Sequence, residues 1–241
     1  MIELQNVSFG YGQSLTVQNL SCRLENGQVT GMIGPNGAGK TTTLRLMAGI
    51  LKPKAGQVWV DEKPLSSYSP KALARQLAFL PQSRPVPAIS VRSLVGLGRF
   101  AHGKGDEQAV EKAIQLAGLE KLAQRDVHSL SGGQRQMAYL AMLLAQESPN
   151  VLLDEPFTHL DIGSQLDVIA FIRQMKESGK CVAVIAHDLS LLPSLCDRVI
   201  VMSGGEKVFD GPAAEGLLSK QLEEAFQVRI VEKKGISFEK R

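Results

Sequence analysis

The run Gly34-Pro35-Asn36-Gly37-Ala38-Gly39-Lys40-Thr41 carries the sharpest chemistry in the chain. It fits G-x-x-x-x-G-K-[ST], the spacing of a loop that cradles phosphates. Glycines let the backbone curl until successive N–H groups face phosphate oxygens. A helix expected from about Gly39 adds its positive N-terminal end. Lys40 then brings a point charge to the β- and γ-phosphates, and the Thr41 hydroxyl can ligate Mg²⁺. By average residue usage the four fixed positions recur by chance in only about one such chain in a hundred.

A second signal is Val151-Leu152-Leu153-Asp154-Glu155-Pro156, an apolar strand ending in two carboxylates. Open α/β sheets bind their ligands at the carboxyl ends of strands, where this pair falls. Asp154 is suited to hold Mg²⁺ through its water shell, and Glu155 to orient and polarise an attacking water. A third signal, Leu130-Ser131-Gly132-Gly133-Gln134, opens an expected helix. Ser131 and Gln134 fit an ordinary capping box. Two glycines in a first helical turn cost stability, which makes sense where a phosphate must approach the backbone closely.

The surrounding elements must hold these groups. Residues 2–9 and 14–24 alternate apolar and polar as strands, with Gly10-Tyr11-Gly12 between them. Gln28–Ile33 reads as a buried strand feeding the phosphate loop, and further strands are expected at 57–60 and 77–80. Ser69-Pro70 starts a helix between those two. From Ser83 the texture changes. Ser83-Arg84-Pro85-Val86-Pro87 excludes regular structure, and helical periodicity then predicts helices over 90–97, 106–117, 119–124 and 132–146. Buried strands return at 150–154, 181–186 and 199–202, with helices at 162–177 and 188–195 between them. The tail after Ser219 reads as one helix, a short strand at 228–231 and a frayed basic end.

Strand–helix alternation on both sides of a helical block implies an α/β domain carrying an inserted helical subdomain. Length, at 241 residues, suffices for a sizeable core without disulfides. A net charge of +3 is too small to argue for nucleic acid as a partner. The scattered Cys22, Cys181 and Cys196 form neither a disulfide frame nor a zinc site, so they read as core residues in a reducing cytosol. The opening residues show no export signal, and no apolar run reaches the 18 or so residues of a membrane helix.

The motifs, in order as well as identity, resemble those of the ATP-binding subunits of ABC transporters along almost the whole chain. GPNGAGKT looks like their Walker A motif, VLLDEP like Walker B, and LSGGQ like the signature that touches the γ-phosphate held by the opposite subunit. The resemblance implies nucleotide contacts from Gly34, Pro35, Asn36, Gly37, Ala38, Gly39, Lys40, Thr41, Thr42 and Gln82, and Mg²⁺ ligation by Thr41, Gln82 and Asp154. It makes Glu155 and the switch residue His187 catalytic, and assigns Ser131, Gly132, Gly133 and Gln134 to the opposite subunit's ATP. Asp161 matches the D-loop, and Tyr11 is placed like the aromatic residue that stacks on adenine. His102, His128 and His159 match no motif and read as structural or solvated.

The implied fold is α/β, a P-loop NTPase core with an N-terminal antiparallel β subdomain and an inserted α-helical subdomain. Residues 1–82 and 147–218 would form the core and β subdomain, 83–146 the helical subdomain, and 219–241 a tail. The sequence shows no membrane helices, second ATPase domain or coiled-coil insertion, so the resemblance implies a discrete subunit bound to a separate permease, as in prokaryotic importers. The implied partners are a second ATPase copy closing on two ATP, an integral membrane permease and an extracytoplasmic solute-binding protein, with no nucleic acid. The location would be the cytoplasmic face of the membrane. Residues 73–82 and 90–99 are similar to the group importing iron-siderophores, haem and cobalamin. Oxyanion import and a soluble non-transport ATPase remain alternatives. Met137 and Phe157 depart from the family pattern, as does a shortened segment after Arg99.

Overall fold

The computed structural model describes residues 1–103 and 106–230. In chain order its elements are β1 (Ile2–Phe9), β2 (Val17–Leu24), β3 (Val29–Ile33), α1 (Lys40–Met47), β4 (Ala55–Val60), β5 (Lys63–Pro64), α2 (Pro70–Gln76) and β6 (Leu77–Leu80). The helices α3 (Val91–Leu97), α4 (Glu107–Leu116) and α5 (Gly132–Ala145) follow. Then come β7 (Asn150–Asp154), α6 (Ile162–Glu177), β8 (Cys181–Ile185), α7 (Leu192–Leu195), β9 (Arg198–Ser203), β10 (Glu206–Pro212), α8 (Ala213–Gly216) and α9 (Lys220–Phe226).

Two sheets result. An antiparallel one runs β2-β1-β4-β5, and a larger one runs β10-β9-β3-β8-β7-β6, parallel except for β10. The central strands β3, β7 and β8 are buried on every residue, which explains why they read as continuous apolar runs. Their period of two feeds separate cores. Met32, Leu152, Ala183 and Ile200 face the antiparallel sheet and α1. Ile33, Leu153, Val184 and Val201 face the helices, where α3, α4 and α5 pack on one another.

This order positions the site. Neighbouring parallel strands β3, β8, β7 and β6 deliver to one edge the phosphate loop, His187, the Asp154-Glu155 pair and Gln82. The sheet thereby gathers four sequence-distant segments.

Several expectations need correction. Residues 119–124 form only a 3₁₀ turn over Glu120–Leu122, closed by bonds between near neighbours rather than a helical ladder. The helix expected over 188–195 is a 3₁₀ turn at Leu189–Leu191 followed by the single-turn α7, with Pro193 fixing its start. β10 and α8 were not anticipated. The residues 228–230 lie in no strand, and the rest of the expected 228–231 strand and the basic end fall outside the described residues. Phe157, a departure from the family pattern, is simply core. The three cysteines are buried, which pushes each thiol up to about 12. His102 bonds Gln146 O at 2.9 Å, while His128 and His159 are exposed.

Candidate active site

Gly39 caps α1 in a left-handed conformation (φ 96°), and an added Cβ there would lie 2.6 Å from Thr16 O. Only glycine lets the loop close this tightly against the start of β2. No side chain among the described residues caps the first turn of α1, which leaves its leading N–H groups without a capping partner. Lys40 is only 6 % exposed and donates from Nζ to Gly34 O at 2.7 Å and to Pro35 O at 2.9 Å. Both acceptors are neutral, so an anionic phosphate oxygen would be the stronger partner for this ammonium. Burial lowers the Lys40 pKa, and the nearby Glu155 and Asp154 carboxylates oppose that shift.

Asp154 ends β7 fully buried. Its Oδ1 accepts from Thr41 Oγ1 at 3.1 Å, while its Oδ2 is buried with no hydrogen-bond partner among the described residues. Burial raises its pKa, partly offset by the Thr41 bond. A buried, unpaired carboxylate oxygen beside a hydroxyl is an all-oxygen donor set suited to Mg²⁺. No cluster of three or more His, Cys, Asp or Glu exists among the described residues to hold a metal by itself. That fits an ion whose remaining ligands come from phosphates and water.

Glu155 takes a left-handed backbone (φ 53°) while its N–H bonds Ile185 O at 3.1 Å. Such strain in a non-glycine residue persists only where the surroundings hold it. The turn aims the carboxylate at the loop's mouth, where His187 Nε2 donates to Oε1 at 2.5 Å. Gln82 Nε2 donates to Oε2 at 2.6 Å, and Thr158 Oγ1 donates to the same oxygen at 3.2 Å. A cavity of about 170 Å³ is lined by Thr16, residues 36–42, Glu155 and His187. A larger groove of about 440 Å³ between α4, α5 and α6 contains none of these groups.

Not every expected residue joins this site. Tyr11 is 63 % exposed, sits edge-on to Phe9 at 5.1 Å between ring centres, and does not line the cavity. Gln82 reaches Glu155 rather than the loop. Ser131 and Gln134 form a complete capping box, with Ser131 N donating to Gln134 Oε1 at 3.1 Å and Gln134 N to Ser131 Oγ at 3.3 Å. A Cβ on Gly133 would lie 2.2 Å from Ser164 Oγ, so packing against α6 already demands glycine there. One on Gly132 would meet only His159 O, at 3.8 Å. Asp161 caps α6 by accepting from Ser164 N at 2.9 Å and Ser164 Oγ at 2.8 Å, bonds that hold its carboxyl below the usual value.

Two participants escaped the sequence reading. Thr158 stands three residues after Glu155, a spacing at which a hydroxyl can bond back across a turn. Thr16 contributes through backbone position, gripped by Gly39 and Gly205, and no side-chain pattern marks it.

Comparison with known proteins completes the description. The family model described as ABC transporter matches residues 17–158. The chain is 37 % identical over 236 residues to the ferric enterobactin transport ATP-binding protein FepC of Escherichia coli (strain K12), covering 94 % of this chain and 87 % of that one. It is 34 % identical to the iron(3+)-hydroxamate import ATP-binding protein FhuC of Bacillus subtilis (strain 168), covering 94 % and 88 %. A nucleotide-free ATP-binding cassette from an ABC transporter superposes with a TM-score of 0.85 over 96 % of this chain and 99 % of that one. At 23 % identity that likeness concerns the fold alone. With the family match covering more than half of its length and a relative aligned over nearly all of it, the chain belongs to the ABC transporter family.

Proposed function

We propose that this chain is the ATP-hydrolysing subunit of an importer for a metal chelate, of the iron-siderophore, haem or cobalamin type, acting through a separate permease. The observation that carries the hydrolytic part is the Glu155 carboxylate, aimed at the phosphate loop and held by Gln82, Thr158 and His187. The names of the similar subunits, which transport ferric enterobactin or iron(3+)-hydroxamate, support the solute class.

In this reading Lys40 and the N–H groups of Gly34 and residues 36–42 bind the phosphates, with Pro35 shaping the loop, and Tyr11 swings onto the adenine. Thr41, Gln82 and Asp154 would hold Mg²⁺, which would supply positive charge to offset that of the phosphates. Glu155 accepts a proton from the attacking water, and His187 turns from Glu155 to the γ-phosphate. Ser131, Gly132, Gly133 and Gln134 of a second copy close the site, with Asp161 at the junction. The helical block over 83–146 moves against the core of 1–82 and 147–218 and transmits closure to the permease. An extracytoplasmic binding protein supplies the solute, and the subunit sits on the cytoplasmic face of the membrane. No helix among the described residues is long and apolar enough to cross one.

The test is affinity purification from solubilised membranes, followed by vesicle reconstitution with a ferric siderophore, haem, cobalamin or an oxyanion outside. ATP-dependent uptake of a chelate is expected. Uptake of the oxyanion alone would overturn the solute class, and the lack of any polytopic partner would overturn the importer assignment.

A further inference from the structure

Arg84 lies in the irregular segment just beyond Gln82 and joins it to α5. Its Nη1 donates to Pro81 O at 2.9 Å, its Nη2 donates to Gln136 Oε1, and its guanidinium carbon stands 4.3 Å from the centre of the Tyr139 ring. Tyr139 closes the loop from the other side, its hydroxyl donating to Pro85 O at 2.7 Å. Gln136 and Tyr139 are both buried on α5, the helix that Ser131 caps. At the opposite end of the segment, Gln82 Nε2 holds Glu155 Oε2. A continuous chain of contacts therefore runs from α5 through Arg84 to the carboxylate beside the phosphate loop.

The choice of arginine has a physical reason. A planar guanidinium can donate to a backbone carbonyl and a side-chain amide at once while lying over an aromatic face. A lysine ammonium is a point charge on a flexible stem and cannot span the three in one geometry. Arg84 lines no part of the phosphate cavity, so its effect on nucleotide must be indirect.

We propose that Arg84 is a positioning residue for ATP hydrolysis, clasping the Gln82 segment to α5 so that displacement of this helix sets where Gln82 stands against Glu155. The inference rests on the reading of Glu155 as the group that orients water. Coupling of this kind needs an element that both sites bias, and the segment 81–85 is bonded at both ends.

Steady-state ATPase kinetics of the full-length protein with Mg-ATP test it. Arg84→Ala should lower kcat about tenfold, the scale on which small misplacements act, and leave KM for ATP within twofold. Arg84→Lys should lower kcat about threefold, since charge remains but the fork is lost. In a Gln82→Ala background the Arg84→Ala change should cost less than about twofold more, because residues acting as a unit are not additive. A general structural defect would instead multiply with the Gln82 loss. Wild-type kcat in Arg84→Ala, or full multiplication in the double variant, overturns the proposal. Should Arg84→Ala fail to fold, wild-type kcat in Arg84→Lys overturns it equally. Failure of the underlying reading looks different: Glu155→Gln would then keep its turnover, whatever Arg84 does.

Discussion

Two helices of this chain begin at glycine-rich turns, and their starts are built on opposite plans. Among the described residues no side chain caps the first turn of α1, and Lys40 and the Asp154-Glu155 pair lie beside it. The first turn of α5 is capped twice over by Ser131 and Gln134. An uncapped helix start leaves N–H donors that an anion can satisfy, whereas a boxed start is already content. The first is thus a binding site in waiting. The second is a self-satisfied surface, suited to meet a ligand that something else holds. The glycines follow the same division. Gly39 is required by the loop's own closure and Gly133 by its contact with Ser164, whereas a Cβ on Gly132 would make only an ordinary contact with His159 O.

The contrast can be broken in several places. Glu155→Gln should lower kcat by about 10²- to 10⁴-fold, the usual contribution of a positioned base, measured as phosphate release. Lys40→Met should weaken ATP binding by about 10- to 100-fold, because a charge-assisted bond is lost, read by equilibrium binding. At the second helix, Gly133→Ala should destabilise the fold by about 1–3 kcal/mol through overpacking, and Ser164→Gly should recover part of that loss in thermal melts. Gly132→Ala should leave the melt nearly unchanged yet reduce turnover, which separates the packing glycine from the one facing outward.

The smallest effect concerns pH. Burial raises the Asp154 pKa, so the folded chain holds that proton more tightly than the unfolded one. The carboxylate therefore costs stability above the ordinary range, and that cost is relieved as pH falls through the raised folded value. Asp154→Asn should flatten this slope in nucleotide-free protein and remove the extra thermal protection that Mg²⁺ gives in the presence of ATP.

Much of this architecture was legible in the residues. β3, β7 and β8 read as strands because burial on both faces makes them continuous apolar runs. Ser69 and Ser131 mark helix starts that their side chains do cap. β10 escaped because it is an edge strand, with Glu206 and Lys207 exposed and an irregular register against β9 between Lys207 and Phe209. The gathering of Gln82, Glu155 and His187 depends on the order β3-β8-β7-β6, which no local pattern encodes. Tyr11 shows the limit most plainly. Its position in a turn is local and legible, but which way its ring faces depends on tertiary surroundings such as its edge-on contact with Phe9.

The central claim is that one chain supplies an open site and a closed complement that must come from a second copy. Sedimentation velocity of Glu155→Gln, with and without saturating Mg-ATP, tests it most directly. The account predicts a monomer without nucleotide and a dimer retaining ATP with it. A variant that binds ATP yet remains monomeric would contradict the account.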